Sequence, residues 1–181
     1  MEKLPENVHE KDIAVILYVT KRLKKIFGKK AFQKIIYFVS RSIPLSFDFR
    51  LYWLGPFSKD LANTLDFLIM GGLVRLNEVD RPFIEVKDTT TADQVISENL
   101  SPEEIKKIDN VLDLLGNVSY NPLKLELLAT VHFICKEILD ITNANINVDN
   151  VYKLIREAKG ERFSRAEVSW ALRFLRNKKL L

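Results

Sequence analysis

Few residues of the types that carry catalysis occur in this chain of 181 residues. It contains two histidines, His9 and His132, and one cysteine, Cys135. His132 and Cys135 lie three residues apart on a predicted apolar helix, but a zinc site needs three or four ligands. We therefore expect both side chains to be buried without a metal. Asp109 and Asp113, at positions i and i+4 of a predicted helix, are more typical of a solvated face than of acid–base catalysis.

The glycines do not form a nucleotide-binding loop. All six stand alone or at the ends of predicted helices, whereas a phosphate loop needs several glycines close together so that backbone N–H groups can surround the phosphates. We therefore expect a protein that is not an enzyme, with no cofactor, no metal and no evident small-molecule substrate.

Charge is the feature that points to a partner. The net charge is only +4, but residues 13–47 carry eight bases and no acid, residues 77–150 carry a net −8, and residues 151–181 carry a net +6. Two basic blocks separated by an acidic one indicate either an anionic partner or internal ion pairing. Both interpretations remain open at this point.

Composition excludes several classes of protein. The chain is 47% hydrophobic and 29% charged, as in globular proteins, and a single cysteine cannot build a disulfide scaffold. No apolar run approaches the ~20 residues of a membrane-spanning helix. Residues 1–12 mix acids and bases without the apolar core of a secretory signal. We expect a cytoplasmic protein that does not bind membranes.

Apolar periodicity and capping residues predict a mainly α-helical fold with a small antiparallel β-wing. Helices are expected over 12–27, with Asp12 as the N-cap and Gly28 at its end, and over 29–40. A half-buried strand is predicted at 47–54, because Phe47, Phe49, Leu51 and Trp53 alternate there with Asp48, Arg50 and Tyr52. A Gly55-Pro56 turn and a helix over 58–70 follow. Short strands at 73–76 and 83–87 should pair as a hairpin. Further helices are predicted at 101–115, 121–139, 149–158 and 164–177.

These elements suggest two lobes. Residues 10–88 fit a winged helix-turn-helix-like domain, in which the hairpin is the wing and the preceding helix is the recognition helix. The polar segment 89–100 is predicted to be a linker, and residues 101–181 form a helical, helix-turn-helix-like domain. On the predicted recognition helix Lys59 and Asn63 point outward, but so do two aspartates, which are unfavourable beside phosphates.

Two basic segments are candidate contacts for nucleic acid. In the first, four residues are predicted to share one face of helix 29–40, and Tyr37 could pack on a sugar or base. The second is the final helix and the turn before it, where arginines could contact phosphate or guanine. Besides Lys59 and Asn63, the candidates are Lys24, Lys25, Lys30, Lys34, Tyr37, Arg41, Arg162, Arg165, Arg173 and Arg176. Internal pairing with the acidic block is the alternative.

Three short runs carry a resemblance: KKAFQKIIYF at 29–38, LYWLGPFS at 51–58 and GGLV at 71–74. With them, the chain resembles a group of uncharacterised prokaryotic, often archaeal, winged-helix-like proteins predicted to be regulators. Over about residues 29–75 it is also distantly similar to the Panacea antitoxin-like domain, although Leu54 stands where that domain has an aromatic residue before Gly-Pro. The resemblance implies a helical, winged-helix-like fold, a regulatory or antitoxin-like role and no catalytic residues.

Two functions follow from these observations. The first is a non-enzymatic, DNA-binding regulator that contacts phosphates through its basic helical faces. The alternative is a protein–protein interaction module, such as an antitoxin-like neutraliser, an assembly subunit or a homodimer. The acidic central block and the aromatic pair Trp170 and Phe174 favour the alternative.

Overall fold

The computed structural model describes residues 8–78 and 80–181, and it is mainly helical with two small antiparallel hairpins. This confirms the predicted fold class at that level. The elements in chain order are α1 (Glu10–Leu23), α2 (Gly28–Ser40), β1 (Arg50–Tyr52), β2 (Gly55–Phe57), α3 (Lys59–Met70), β3 (Val74–Asn77), β4 (Phe83–Val86), α4 (Thr89–Asn99), α5 (Pro102–Leu115), α6 (Pro122–Phe133), α7 (Val148–Lys159) and α8 (Arg165–Asn177). A 3₁₀ turn follows α5 and a π-helical turn, Ile134–Leu139, extends α6.

Helix α2 lies at the centre of the fold. It packs against α6, β2, α5 and β4, and all nine residues from Ala31 to Val39 are buried. Helix α6 packs in turn against α8. The buried apolar side chains of both predicted lobes therefore form one continuous hydrophobic core.

The first helix differs from its prediction at both ends. Its N-cap is His9, while Asp12 occupies the third position and accepts a hydrogen bond from the His9 backbone N–H at 2.9 Å. The chain leaves the helix at Lys24, which has a φ of 61°. Ile26 then forms an isolated antiparallel bridge with Ile84 of β4, so this segment pairs with the β3–β4 hairpin instead of adding a last helical turn.

The predicted strand at 47–54 is shorter and belongs to a hairpin. Strand β1 pairs with β2 so that Tyr52 lies opposite Gly55, and the expected Gly55-Pro56 turn is part of the second strand. Phe47 and Phe49 are buried as predicted. Trp53, predicted on the same buried face, is exposed because it occupies the tip of this hairpin.

The segment predicted to be a linker, 89–100, forms helix α4, which the sequence analysis did not predict, and this helix packs against α1. Asp88 caps the helix by accepting a hydrogen bond from the Thr91 backbone N–H at 3.1 Å. Ala92 and Ile96, four residues apart, provide a narrow buried stripe in an otherwise polar sequence. The division into two domains at this segment stays a prediction.

The remaining elements follow the sequence closely. Strands β3 and β4 form the predicted antiparallel hairpin; its link includes Val79, which lies outside the described residues, as does most of the 1–12 segment. Capping boxes begin α5 at Ser101 and α8 at Ser164. Within the described residues, no helix has both the length and the apolar character needed to cross a membrane.

Candidate functional site: a cavity beneath an aromatic hairpin

A cavity of about 370 Å³ opens between α2, the β1–β2 hairpin and α3. This volume lies at the lower end of the range of ~300–1,000 Å³ found for ligand sites, so the cavity has room for one group of side-chain size. Its walls are predominantly apolar. The apolar lining consists of Phe32, Trp53, Leu54, Phe57, Ala62 and Leu65.

The hairpin tip places two large aromatic side chains in solvent beside this cavity. Trp53 is 59% exposed and Tyr52 is 55% exposed, and both line the opening. The Tyr52 ring packs edge-on against Phe57, with the ring centroids 5.5 Å apart. Exposed aromatic side chains next to a concave apolar surface are characteristic of binding sites, since burying them in a complex removes a large apolar area from water.

Gly55 allows the hairpin to lie this close to α6. Its φ is 89°, a left-handed conformation that side chains disfavour. A Cβ at this position would lie 3.0 Å from Thr130 Oγ1 and 3.1 Å from Lys34 Cε. The floor of the site therefore requires glycine for both its backbone conformation and its packing.

Among the described residues, three lysines are the only charged ones that line the cavity. Lys29 forms an ion pair with Asp66 at 2.6 Å. Lys30 is exposed, and no carboxylate of the described residues lies within 4 Å of it. Lys34 is 2% exposed, and its ammonium donates a hydrogen bond to the Pro56 carbonyl oxygen at 2.8 Å. The cavity is therefore lined mainly by apolar groups, with lysine ammonium groups at its opening and in its wall.

Burial lowers the pKa of Lys34, the charge of Glu126 opposes this effect, and the charges of Lys159 and Lys30 add to it, so that the pKa is about 8. An ammonium loses its hydration when it is buried, so the neutral amine becomes relatively more stable. At neutral pH Lys34 still carries most of a positive charge. This buried charge has lost hydration free energy that the ammonium of a surface lysine retains.

Behind Lys34 lies a buried ionic cluster centred on Glu126. Arg162 binds both carboxylate oxygens of Glu126, at 2.6 and 2.8 Å. The Lys159 ammonium, fully buried, lies 3.2 Å from Glu126 Oε1 and donates a hydrogen bond to the Trp53 carbonyl oxygen at 2.5 Å. Burial raises the pKa of the Glu126 carboxyl, but the hydrogen bond from Arg162 and the charge of Lys159 hold it below its ordinary value.

This cluster connects the C-terminal helices to the hairpin. The hairpin backbone accepts one hydrogen bond from the Lys34 ammonium of α2 and one from the Lys159 ammonium of α7. Both bonds end on carbonyl oxygens within or beside the tip. The position of Trp53 is therefore fixed by residues from both halves of the chain.

Two of the predicted nucleic-acid contacts on α2 are buried, so the prediction that they share an outward face is wrong. Lys34 lies under the hairpin, and Tyr37 is fully buried between α2 and α6. Tyr37 donates its hydroxyl proton to His132 Nδ1 at 2.8 Å, and His132 Nε2 donates to the Leu180 carbonyl oxygen at 2.9 Å. The sequence pattern missed this because α2 is buried on all its faces from Ala31 to Val39.

The other candidates in the N-terminal half are exposed. Lys24 and Lys25 lie at the turn between α1 and α2, and Lys25 Nζ is 4.6 Å from the centroid of the Phe83 ring on β4. Lys59 and Asn63 are exposed on α3, and Arg41 is paired with Glu137 at 2.7 Å.

In the C-terminal half most of the candidate arginines are engaged within the chain. Arg162 is held by Glu126, and Arg165 forms an ion pair with Asp149 at 2.8 Å. Arg176 donates a hydrogen bond to the Ile146 carbonyl oxygen at 2.7 Å. Arg173 is exposed on the outer face of α8. Internal pairing with acidic residues, the alternative interpretation of the basic blocks, therefore accounts for a large share of them.

His132 and Cys135 are buried, as the sequence predicted. Burial lowers the pKa of His132 to about 4 and raises the pKa of the Cys135 thiol to about 12. Both groups are therefore neutral at physiological pH. Within the described part of the chain, no group of three or more histidine, cysteine or carboxylate side chains is placed to hold a metal ion.

Comparison of the chain with protein-family models finds no match, and comparison with curated protein sequences finds none either. The resemblance to winged-helix-like regulators and to the Panacea domain therefore stays a prediction.

The sequence did not reveal the residues that build this site. Tyr52 and Trp53 fall in an alternating run that predicts a half-buried strand, and the pattern gives no sign of a tip between them and Gly55. Lys159 and Glu126 lie 33 residues apart in the chain, and nothing in their local sequence marks them as partners. Trp53 directly before Leu-Gly-Pro is the one local signal for an exposed aromatic turn.

Proposed function

We propose that this protein is a non-enzymatic protein-recognition module. Its binding surface, which we call the hairpin face, consists of Tyr52, Trp53 and the cavity behind them with its three lysines. The partner is a segment that inserts one large apolar side chain into the cavity and carries acidic groups beside it. The observation that carries this proposal is an open apolar cavity flanked by two exposed aromatics and three lysines, with no carboxylate among the described residues that line it.

Charge and shape both support a protein partner of this kind. Interface energy concentrates in a few aromatic and basic residues around a pocket, surrounded by weaker contacts. Lys30 at the opening, which has no carboxylate partner among the described residues, would attract acidic groups and repel basic ones, while Lys29 is already paired with Asp66. This charge selects among partners more than it adds affinity. The internal pairing of Arg162, Arg165 and Arg176 leaves fewer free cations for a polyanion.

The experiment is a selection of randomly displayed short peptides on the wild-type protein, followed by affinity measurements on the selected peptides. We expect sequences with a large apolar residue and acidic neighbours. Trp53→Ala should weaken their binding by about thirtyfold, the factor that corresponds to a hot-spot residue worth ~2 kcal/mol. Ile141→Ala is the matched control, because Ile141 is 69% exposed and lies outside the cavity lining.

Selection of basic peptides, selection of none, or equal binding by wild type and Trp53→Ala would overturn the proposal. Circular dichroism of both variants checks that the substitutions leave the fold intact. The Trp53 side chain is largely exposed, so its removal costs little packing. The alanine variant also keeps the backbone carbonyl oxygen that accepts the hydrogen bond from Lys159.

DNA binding is the second candidate, and the order of elements supports it. Helix α1, the bridge of Ile26 to Ile84, helix α2, helix α3 and the β3–β4 hairpin follow the order of a winged helix, in which α3 would be the recognition helix. Lys24 and Lys25 are exposed beside the wing and could contact phosphates. On α3 itself, Lys59 and Asn63 would face the groove.

A gel-shift titration with random duplex DNA at low salt tests this candidate. Lys24→Ala/Lys25→Ala should weaken binding and reduce its salt dependence, while the control Lys106→Ala/Lys153→Ala, two exposed lysines away from the wing, should not. Phosphate contacts strengthen as salt is removed. Absence of retardation at low salt would therefore exclude this candidate.

A further inference from the structure

We propose that the group bound in the cavity is the C-terminal residue of the partner, with its apolar side chain in the cavity and its α-carboxylate on the Lys34 ammonium. This inference rests on the proposed protein-recognition function and specifies the chemistry that the hairpin face selects. It makes Lys34 the residue that distinguishes a chain end from an internal segment.

The Lys34 ammonium has unused hydrogen-bonding capacity. An ammonium group has three N–H donors. Of the described residues, only Pro56 supplies an acceptor to it, through its carbonyl oxygen. No described carboxylate lies within 4 Å of the nitrogen, although the side chain is 2% exposed. A buried charge is costly unless it is paired and hydrogen-bonded, and a ligand carboxylate would supply both.

The charges around Lys34 favour a carboxylate at this position. The groups that face it are Glu126 from α6, Lys159 from α7 and Lys30 from its own helix, while the hairpin contributes uncharged groups. Arg162 and Lys159 already engage Glu126. Glu126 is therefore one negative charge close to three buried or half-buried positive charges, those of Lys34, Lys159 and Arg162. The cluster is complementary to a second carboxylate placed at Lys34.

The apolar and the charged parts of the site lie close together. Lys34 is itself a lining residue, and a Cβ built on Gly55, another lining residue, would lie 3.1 Å from Lys34 Cε. A ligand that fills about 370 Å³ and also reaches Lys34 must carry its carboxylate close to its apolar group. The terminal residue of a chain has this property, since its α-carboxylate and side chain share one carbon atom, and capture of chain ends is an established mode of peptide recognition.

The test compares peptides that end in Glu-Glu-Trp as the free acid and as the C-terminal amide. We expect the acid to bind at least tenfold more tightly than the amide. In Lys34→Met the two should bind alike, whereas the control Lys106→Met should behave as wild type. Replacing a buried ion by an apolar residue of similar length is often tolerated, and the acid–amide comparison on the wild type needs no variant.

Proton uptake provides a readout that a purely structural role of Lys34 would not give. A carboxylate beside Lys34 raises its pKa from about 8, so at a pH of about 8.5 binding must be accompanied by uptake of protons. Titration calorimetry in two buffers of different ionisation enthalpy measures this. Uptake should be small near pH 6.5, increase towards pH 8.5, and vanish in Lys34→Met.

The outcomes separate the two proposals. If the acid and the amide bind equally through Trp53, the chain-end inference is overturned and the recognition function stands. If neither binds and selection yields no peptide, the recognition function fails. If 3-phenylpropionate binds as tightly as the acid peptide, the site recognises a free apolar acid, and the assignment to a protein chain end is overturned.

Discussion

Replacing Glu126 by glutamine tests the ionic cluster that fixes the hairpin. The side chain is 6% exposed and neutralises part of the charge of Lys159 and Arg162. Removal of one partner from a buried ion pair typically costs 3–5 kcal/mol, because the other charge is left uncompensated. Glutamine keeps one acceptor oxygen for Arg162, and Lys159 keeps the Trp53 carbonyl, so we expect a loss of about 3 kcal/mol.

The control for this variant is Glu137→Gln. Glu137 is also paired with an arginine, Arg41, but both side chains are about one-third exposed, and such surface pairs contribute about 0–1 kcal/mol. Urea denaturation followed by circular dichroism measures both variants. At an m-value of ~2–3 kcal/mol/M, a loss of 3 kcal/mol lowers the midpoint by ~1–1.5 M.

A second comparison separates charge from packing. The double variant Glu126→Leu/Lys159→Met removes both charges and should recover part of the stability lost in Glu126→Gln, since a buried ion pair can often be replaced by apolar residues. Arg162 can turn outward because its side chain is about one-third exposed. If Glu126→Gln were no more destabilising than Glu137→Gln, the cluster would not hold the hairpin and the reasoning would be refuted.

Three further predictions concern stability. The unfolded chain protonates His132 near its ordinary pKa of 6.5, but the folded chain does so only near 4. The free energy of unfolding should therefore fall by about 3 kcal/mol as the pH drops from ~7 to ~4, and the fall should be smaller in His132→Gln. Urea denaturation at each pH measures both proteins. Gly55→Ala should cost about 1–3 kcal/mol more than Gly28→Ala, since both have positive φ but only Gly55 would direct a Cβ against Thr130. Lys34→Met should raise the melting temperature at pH 7, and this gain should shrink above pH 8, because the wild type is relieved of its buried charge as the pH rises.

Each of these has a defined contradicting result. Equal acid sensitivity in wild type and His132→Gln would show that the histidine is not held neutral. Equal losses for the two glycine variants would show that the hairpin does not approach α6 closely. A lower melting temperature for Lys34→Met at pH 7 would show that the ammonium stabilises the fold.

The fold was predictable wherever local chemistry determines it. Ser101 and Ser164 begin helices because their side chains cap exposed N–H groups, and this signal lies within four residues. The hairpin of β3 and β4 follows from two short apolar runs with a polar link. Helix α4 was missed because Ala92 and Ile96 alone carry its buried stripe, and a polar sequence with so few apolar positions also fits a linker.

The site was not predictable because it is built from long-range contacts. Periodicity assigned Lys34 and Tyr37 to a surface face, but that face is covered by the hairpin and α6, which are distant in sequence. The pairing of Arg162 with Glu126 spans 36 residues. Segment charge correctly raised internal pairing as a possibility, and only the structure could show which residues pair.

We infer that a partner binds at the hairpin face. The chain contains two tryptophans, Trp53 on this face and Trp170 on α8 beside Phe174, so the two indole N–H signals in a proton–nitrogen correlation spectrum report on two separate surfaces. Titration with the acid-terminated Glu-Glu-Trp peptide should shift the Trp53 signal, assigned with Trp53→Phe, and leave the Trp170 signal in place. A shift confined to Trp170, or no shift of either signal at saturating peptide, would contradict the claim.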